Sequence, residues 1–121
     1  MIKMIAVCYR KPGLTREQFR HHYDTQHVPL VKSLMGENLT RYVRNYVNEG
    51  GTDFDVGKAP EYDCITEFYF ADAEAFKRAV AAIESPENAP RVRADEKAFL
   101  DVSRLEMAIV QEADRTDGVP S

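Results

Sequence analysis

The sequence has no long apolar run and no excess of positive charge. Its apolar stretches are only a few residues long, far short of the ~20 that cross a bilayer, and residues 1–10 lack the apolar block of a signal peptide. We therefore expect a cytoplasmic protein that does not bind a membrane. With 16 Lys and Arg against 20 Asp and Glu, the net charge is −4 and no basic stripe is present. Nucleic-acid binding is not expected, because neutralising phosphate dominates that affinity.

Cysteine and glycine are too sparsely placed for several kinds of site. Cys8 and Cys64 each lie in an apolar, strand-like run without C-x-x-C spacing, so we expect two buried free thiols. The sequence contains no phosphate-binding glycine loop, nucleotide fingerprint or Ser-His-Asp arrangement. These absences favour a site that works without a cofactor.

What the 121 residues do contain is the pattern of one domain with a sizeable core. Hydrophobic periodicity predicts strands over residues 2–9, 39–48, 62–70 and 102–111, helices from residue 15, from residue 73 and over residues 91–100, a loop over residues 49–60 and a flexible tail over residues 112–121. The strands and the two main helices follow the order strand, helix, strand, strand, helix, strand. This order predicts a ferredoxin-like α+β fold, in which helices cover one face of a four-stranded antiparallel sheet.

The second face of that sheet has a consequence for assembly. Three of the four predicted strands are apolar on both faces, whereas the helices cover only one face. The uncovered area is too apolar for a monomer. We therefore expect a homodimer, in which a second copy covers this face across a two-fold axis.

The first helix carries every histidine of the chain. Thr15 and Gln18 form a T-x-x-Q capping box, which predicts where the helix begins. Pro29 cannot donate to the carbonyl four residues back, and it disfavours the α conformation of Val28, so we expect a break near His27. The predicted apolar stripe consists of Phe19, Tyr23, His27 or its neighbour Gln26, Leu30 and Leu34.

Three stretches together resemble a known family. They are YRKPGLTREQFRHHYDTQHVPLV at residues 9–31, YDCITEFYF at residues 62–70 and ADEKAFLD at residues 94–101. The chain resembles the EthD domain of the dimeric α+β barrel superfamily from residue 4 to residue 110, and HVPL at residues 27–30 is the most specific piece. The resemblance implies a ferredoxin-like dimer with a pocket between helices and sheet. It also implies chemistry such as ether degradation, dehydration or decarboxylation of polyketide-type aromatics, or lactone isomerisation.

His27 is the predicted catalytic residue. An imidazole in an apolar pocket can give or take a proton near neutral pH, and His27 matches the histidine of the family's H-x-P-L motif; a structural core histidine is the alternative. Tyr23, one turn earlier, is expected either to orient His27 or bind a substrate oxygen, or to be a core aromatic. Phe68 and Phe99 are predicted to contact the substrate.

Carboxylates in apolar segments are the next candidates. Glu67 lies in an apolar strand, where it either pairs with an arginine such as Arg44 or Arg104 or acts as a second proton-transfer and substrate-binding residue. Asp95 and Glu96 are expected to form a solvated or arginine-paired edge of the short helix.

The three histidines do not predict a metal site. On an α-helix, steps of five and six residues separate side chains by about 120 to 140° around the axis, whereas chelating pairs use a step of four. His21 and His22 are therefore expected at solvent-facing or boundary positions, away from His27.

Three functions remain open from the sequence. We favour a cofactor-free enzyme in which His27 is general acid and base for dehydration, decarboxylation or isomerisation of a small apolar or aromatic oxygenated molecule. A haem-associated protein with His27 as axial ligand is one alternative, because the superfamily that the chain resembles includes haem-modifying enzymes. A non-catalytic protein that binds an apolar metabolite or supports an oxygenase system is the other.

Overall fold

A computed structural model describes residues 1–48 and 60–113. These residues form a four-stranded antiparallel sheet of strand order β2-β3-β1-β4, with helices on one face. The elements are β1 (Ile2–Cys8), α1 (Arg16–His22), a π-helical turn (Tyr23–His27), α2 (Val28–Met35), β2 (Arg41–Tyr46), β3 (Cys64–Phe70), α3 (Ala73–Glu84), α4 (Ala89–Phe99) and β4 (Glu106–Val110). The predicted ferredoxin-like α+β fold is confirmed. Most of the predicted loop and tail lies outside the described residues.

The central strands β1 and β3 pair in a register that separates two faces. Met4 and Phe68 are opposite each other, as are Cys8 and Cys64, and all four side chains are buried under the helices. Both thiols are free, as predicted. Alternation turns the intervening residues to the other side, called here the open face, whose members on these two strands are Lys3, Ile5, Val7, Ile65, Glu67 and Tyr69.

Two of the element boundaries that differ from the prediction have local causes. The last strand begins at Glu106 instead of residue 102, because Asp101 accepts hydrogen bonds from the backbone and the hydroxyl of Ser103 and so closes a turn. α4 begins at Ala89, two residues early, because Pro90 fits the first helical turn, where no backbone N–H is needed.

The first helix does not break at His27. α1, the π-helical turn and α2 form one continuous rod, and Val28 keeps helical angles (φ −59°, ψ −48°) despite the following Pro29. The N–H of Val28 donates to the carbonyl of Tyr23, five residues back. The widened turn thus ends just before Pro29, where the missing N–H interrupts the four-residue ladder in any case.

The π-helical turn also moves the apolar stripe by one position. Before it, Phe19 is buried as predicted. After it, Val31 and Met35 are buried, whereas the predicted Leu30 and Leu34 are only half-buried. The wider turn contains one more residue than an α-helical turn, so the core-facing set shifts by one.

The described helices include none that is long and apolar enough to span a bilayer.

The capping box at the start of α1 gives a test of this helical rod. Thr15 Oγ1 accepts from the backbone N–H of Gln18 at 3.0 Å, and Gln18 Oε1 accepts from the backbone N–H of Thr15 at 2.9 Å. Thr15→Ala is expected to lower the free energy of unfolding by about 1 kcal/mol, measured by urea denaturation. Thr40→Ala, at an exposed position whose side chain makes no hydrogen bond to a described residue, is the matched control and is expected to leave the midpoint unchanged. Equal midpoints for the two variants would contradict the prediction.

Candidate active site

Two histidines of the helical rod share one carboxylate of α4. Nδ1 of His27 lies 2.7 Å from Oδ2 of Asp95, and Nε2 of His22 lies 2.8 Å from Oδ1 of the same residue. An ionised carboxylate can only accept, so both of these ring nitrogens carry a hydrogen. The neutral His27 therefore keeps the lone pair of its Nε2 free.

The π-helical turn makes this convergence geometrically feasible. The prediction that His22 and His27 point apart assumed α-helical spacing, and it is wrong because five-residue hydrogen bonds bring residues five apart to the same side. Phe99 packs against both rings: its centroid lies 4.8 Å from that of His22 in a stacked arrangement and 5.0 Å from that of His27. His21 is exposed and stays outside the cluster, as predicted.

His27 lines a cavity of about 490 Å³ between the helices and the sheet. The wall is mainly apolar and includes Met4, Val31, Met35, Phe68, Val92 and Leu105. Among the described residues, Nε2 of His27 has no hydrogen-bond partner. The volume is in the range of pockets that hold small organic ligands.

Burial controls the charge of His27. Its side chain is only 8% exposed, and desolvation lowers its pKa below the ordinary 6.5, against the opposing effect of the hydrogen bond to Asp95. At neutral pH, His27 is therefore uncharged, with Nδ1–H held by Asp95 and Nε2 able to accept a proton. Once protonated, the imidazolium is stabilised by the same carboxylate and can return the proton.

The predicted substrate-binding aromatics divide into two groups. Phe68 lines the cavity. Tyr23 and Phe99 instead pack against His27 from the core, with the Tyr23 ring edge-on at 5.5 Å and Phe99 fully buried. The Tyr23 hydroxyl shares a hydrogen bond of 2.6 Å with Thr66, and burial raises the pKa of Tyr23 well above its usual value. Tyr23 therefore acts as a neutral support for the ring of His27.

Glu67 is not brought to this site, because it lies on the open face, on the other side of the sheet from His27. Hydrogen bonds from Asn45 and Tyr69, together with the ammonium of Lys3 at 3.1 Å, lower its pKa to about 2. Neither of the two arginines predicted as its partner contacts it. Glu67 is a paired structural carboxylate whose partner is a lysine.

Asp95 is a candidate site residue that the sequence did not single out. The expectation of an arginine-paired edge is confirmed for Glu96, which accepts from Arg93 at 3.0 Å, but it is wrong for Asp95. A signal was present, because the steps from Val92 to Asp95 and from Asp95 to Phe99 are three and four residues. That spacing places Asp95 on the buried side of α4 between two core residues.

Metal binding does not fit the described side chains. No group of three or more His, Cys, Asp or Glu within residues 1–48 and 60–113 could hold a metal ion. His22, His27 and Asp95 are held together by hydrogen bonds and do not form such a group.

The lowered pKa of His27 predicts how stability depends on pH. The unfolded chain takes up a proton on His27 near pH 6.5, whereas the folded protein resists this until a lower pH is reached. The free energy of unfolding is thus expected to fall as the pH decreases from about 7.5 to about 5.5. In His27→Phe this fall should be smaller, as measured by urea denaturation at both pH values, while exposed His21→Phe should retain it. An equal fall in His27→Phe and the unsubstituted protein would refute the prediction.

Comparisons with known proteins identify a family for this chain. The EthD domain family model matches residues 11–103. The conidial pigment biosynthesis dehydratase EthD of Metarhizium robertsii is 30% identical over 117 residues, which cover 90% of this chain and 80% of the relative. Decarboxylase claH of Passalora fulva is 28% identical over 109 residues, covering 84% and 69% respectively.

A solved structure shows the same fold. The crystal structure of an ethyl tert-butyl ether D family protein from Bacillus halodurans C-125 has a TM-score of 0.63 at 20% identity, and the match covers 93% of this chain and 100% of that one. Relatives named dehydratase and decarboxylase support a family of small-molecule enzymes. The resemblance seen in the sequence is confirmed, and the chain belongs to the EthD domain family.

Proposed function

We propose that the protein is a cofactor-independent enzyme that uses His27 as general acid and base on an apolar or aromatic oxygenated molecule. The observation that carries this proposal is that the two ring nitrogens of His27 have different surroundings. Its Nδ1 is held by Asp95 at 2.7 Å, and its Nε2 has no described partner while the ring lines an apolar cavity. The reactions considered are dehydration, decarboxylation and isomerisation, and the names of the dehydratase and decarboxylase relatives favour the first two.

Dehydration illustrates how one histidine suffices. Neutral His27 accepts, at Nε2, the proton from a carbon next to a substrate carbonyl, and the C–H electron pair forms an enolate. The enolate then expels a hydroxyl group from the neighbouring carbon, and that oxygen takes the proton back from Nε2 as water leaves. Asp95 stabilises the intermediate imidazolium without itself becoming protonated. His27 ends the cycle neutral, and no other proton donor or acceptor is needed.

The cavity wall suits such a substrate. Phe68 and the aliphatic side chains offer a ring contact area but no hydrogen bonds, so binding would come from apolar burial. The cations on the wall differ in availability: Arg93 is bound by Glu84 and Glu96, whereas Lys97 has no ion pair with any other described residue. Of these two side chains, Lys97 is therefore the one that we propose stabilises a negatively charged substrate oxygen.

The first test is turnover by a His27→Ala variant. A panel of aromatic β-hydroxycarbonyl compounds and aromatic carboxylic acids is assayed for loss of water or carbon dioxide. We expect the turnover number to fall by about 100-fold or more, because general acid–base catalysis contributes at least that factor. His21→Ala, an exposed histidine on the same helix, should keep full activity. Activity of His27→Ala within a few-fold of the unsubstituted protein would sink the proposal, and binding of panel compounds without turnover would favour a binding protein instead.

We also propose that a second copy of the chain covers the open face. Val7 and Ile65 are directly opposite each other on that face and form an apolar patch beside the paired Lys3 and Glu67. A self-complementary apolar patch flanked by polar groups is suited to a two-fold interface.

Light scattering at micromolar concentration tests the assembly. The expected mass is about twice the 13.8 kDa of one chain. Val7→Arg should reduce it to one chain, because burying an unpaired guanidinium in an interface is unfavourable. Ala81→Arg, at an exposed position of α3, is the matched control and should remain dimeric. A single-chain mass for the unsubstituted protein would rule out the dimer.

A further inference from the structure

The carboxylate of Asp95 contacts two histidines that line different cavities. His27 lines the inner cavity between helices and sheet, whereas His22 lines a surface pocket of about 420 Å³ together with Leu14 and Gln18. The side chains become more accessible along this path, from 8% for His27 through 17% for Asp95 to 25% for His22. A partly solvated imidazole thus touches the same carboxylate as the buried one.

We propose that His22 is a positioning residue for the reaction at His27: by competing for the single negative charge of Asp95, it adds to the effect of burial in keeping His27 neutral and ready to accept a proton. This inference rests on the proposed function of His27, although its central test does not require a substrate. Nothing in the sequence pattern pointed to His22, which spacing had placed away from the site.

Hydrogen bonding supplies the first part of the argument. Each oxygen of Asp95 is bound by one imidazole nitrogen, Oδ1 by His22 and Oδ2 by His27. A donor on Oδ1 withdraws electron density from the carboxylate, so Oδ2 becomes a weaker acceptor for the N–H of His27. The ring of His22 is fixed for this contact, because it stacks on Phe99 at an interplanar angle of 20°.

Charge supplies the second part. One carboxylate compensates one imidazolium, so a proton on His22 makes a second proton on His27 less favourable, and the reverse. Burial is the largest cause of the lowered pKa of His27, Asp95 and Glu96 of α4 act in the opposite direction, and His22 adds to the lowering. The other groups that face the same region are Tyr23 on the π-helical turn, which stays neutral, Glu84 of α3, and Arg93 and Lys97 of α4. The sheet presents the apolar Met4 and Phe68 to the cavity.

The test is a titration of the histidine side chains by ¹H–¹⁵N NMR, using the ¹⁵N-labelled full chain. His22→Phe keeps a ring to stack on Phe99 but removes both the donor and the charge. We expect the titration midpoint of His27 to rise by about one pH unit in this variant. His21→Phe changes an exposed neighbour that does not contact Asp95, and it should leave the midpoint of His27 unchanged.

A second variant keeps the test decisive if His22→Phe does not fold. His22→Gln can still donate to Asp95 but carries no charge, and a rise of the His27 midpoint is expected here as well. An unchanged midpoint in the folded variants overturns the proposal. A lower midpoint overturns it too, because it would mean that His22 acts by holding Asp95 in place to promote the charge on His27.

Kinetics then separate this inference from the function on which it rests. With a validated substrate, the acidic limb of the kcat/KM profile should move to higher pH by the same amount in His22→Phe as the NMR midpoint does. If the midpoint moves but His27→Ala remains active, the coupling stands and the proposed function fails. If His27→Ala is inactive and the midpoint does not move, the role of His22 alone is refuted.

Discussion

The contact between Asp95 and the two imidazoles is the constraint on which the site depends. It ties α4 to the helical rod at the point where the rod faces the cavity, and it orients the ring of His27 from the side opposite the substrate space. Phe99 and Tyr23 fill the volume behind the ring, so the imidazole cannot rotate away from its partner. A buried imidazole with one nitrogen hydrogen-bonded and the other unpaired lowers the stability of the fold. This cost is consistent with a chemical role for the unpaired nitrogen.

The sheet presents no charged side chain of β1 or β3 to the site. Under the helices, β1 and β3 present apolar or small side chains. The Thr66 hydroxyl shares hydrogen bonds with the Cys64 thiol and with the Tyr23 hydroxyl of the π-helical turn, and the Cys8 thiol donates to the carbonyl of Ala6. Burial raises the pKa of Cys8 to about 12 and that of Cys64 to about 11. Both thiols are therefore uncharged at neutral pH and add no negative charge near His27. The charged pair of Lys3 and Glu67 is confined to the open face. The described strands of the sheet thus add no charged group to the cavity, and the charges near His27 come from the helices.

Much of the fold could be predicted, because strand alternation and the capping box at Thr15 are local signals, and the structure contains the features that they predict. The position of His27 in a pocket wall followed from the same local pattern. Asp95 could not be assigned with equal ease, since its partners are 68 and 73 residues away in the chain and a carboxylate on a short polar helix is usually solvated. The choice between a structural pair and a substrate contact stayed open for Glu67 for a related reason: in an apolar strand, sequence alone does not say which face the helices cover.

The π-helical turn accounts for two further errors, which therefore share one cause. A helix read with a uniform period of 3.6 residues puts Leu30 in the core and His22 away from His27, whereas one extra residue in a single turn reverses both assignments. The packing of α2 and the convergence of the two histidines are therefore both consequences of the one extra residue in this turn. Loss of one residue from this turn would rotate α2 out of the core and separate the histidines in one step. The geometry of the site is therefore linked to the stability of the fold, because a change that removed the π-helical turn would disturb both the packing of α2 and the contact of the two histidines with Asp95.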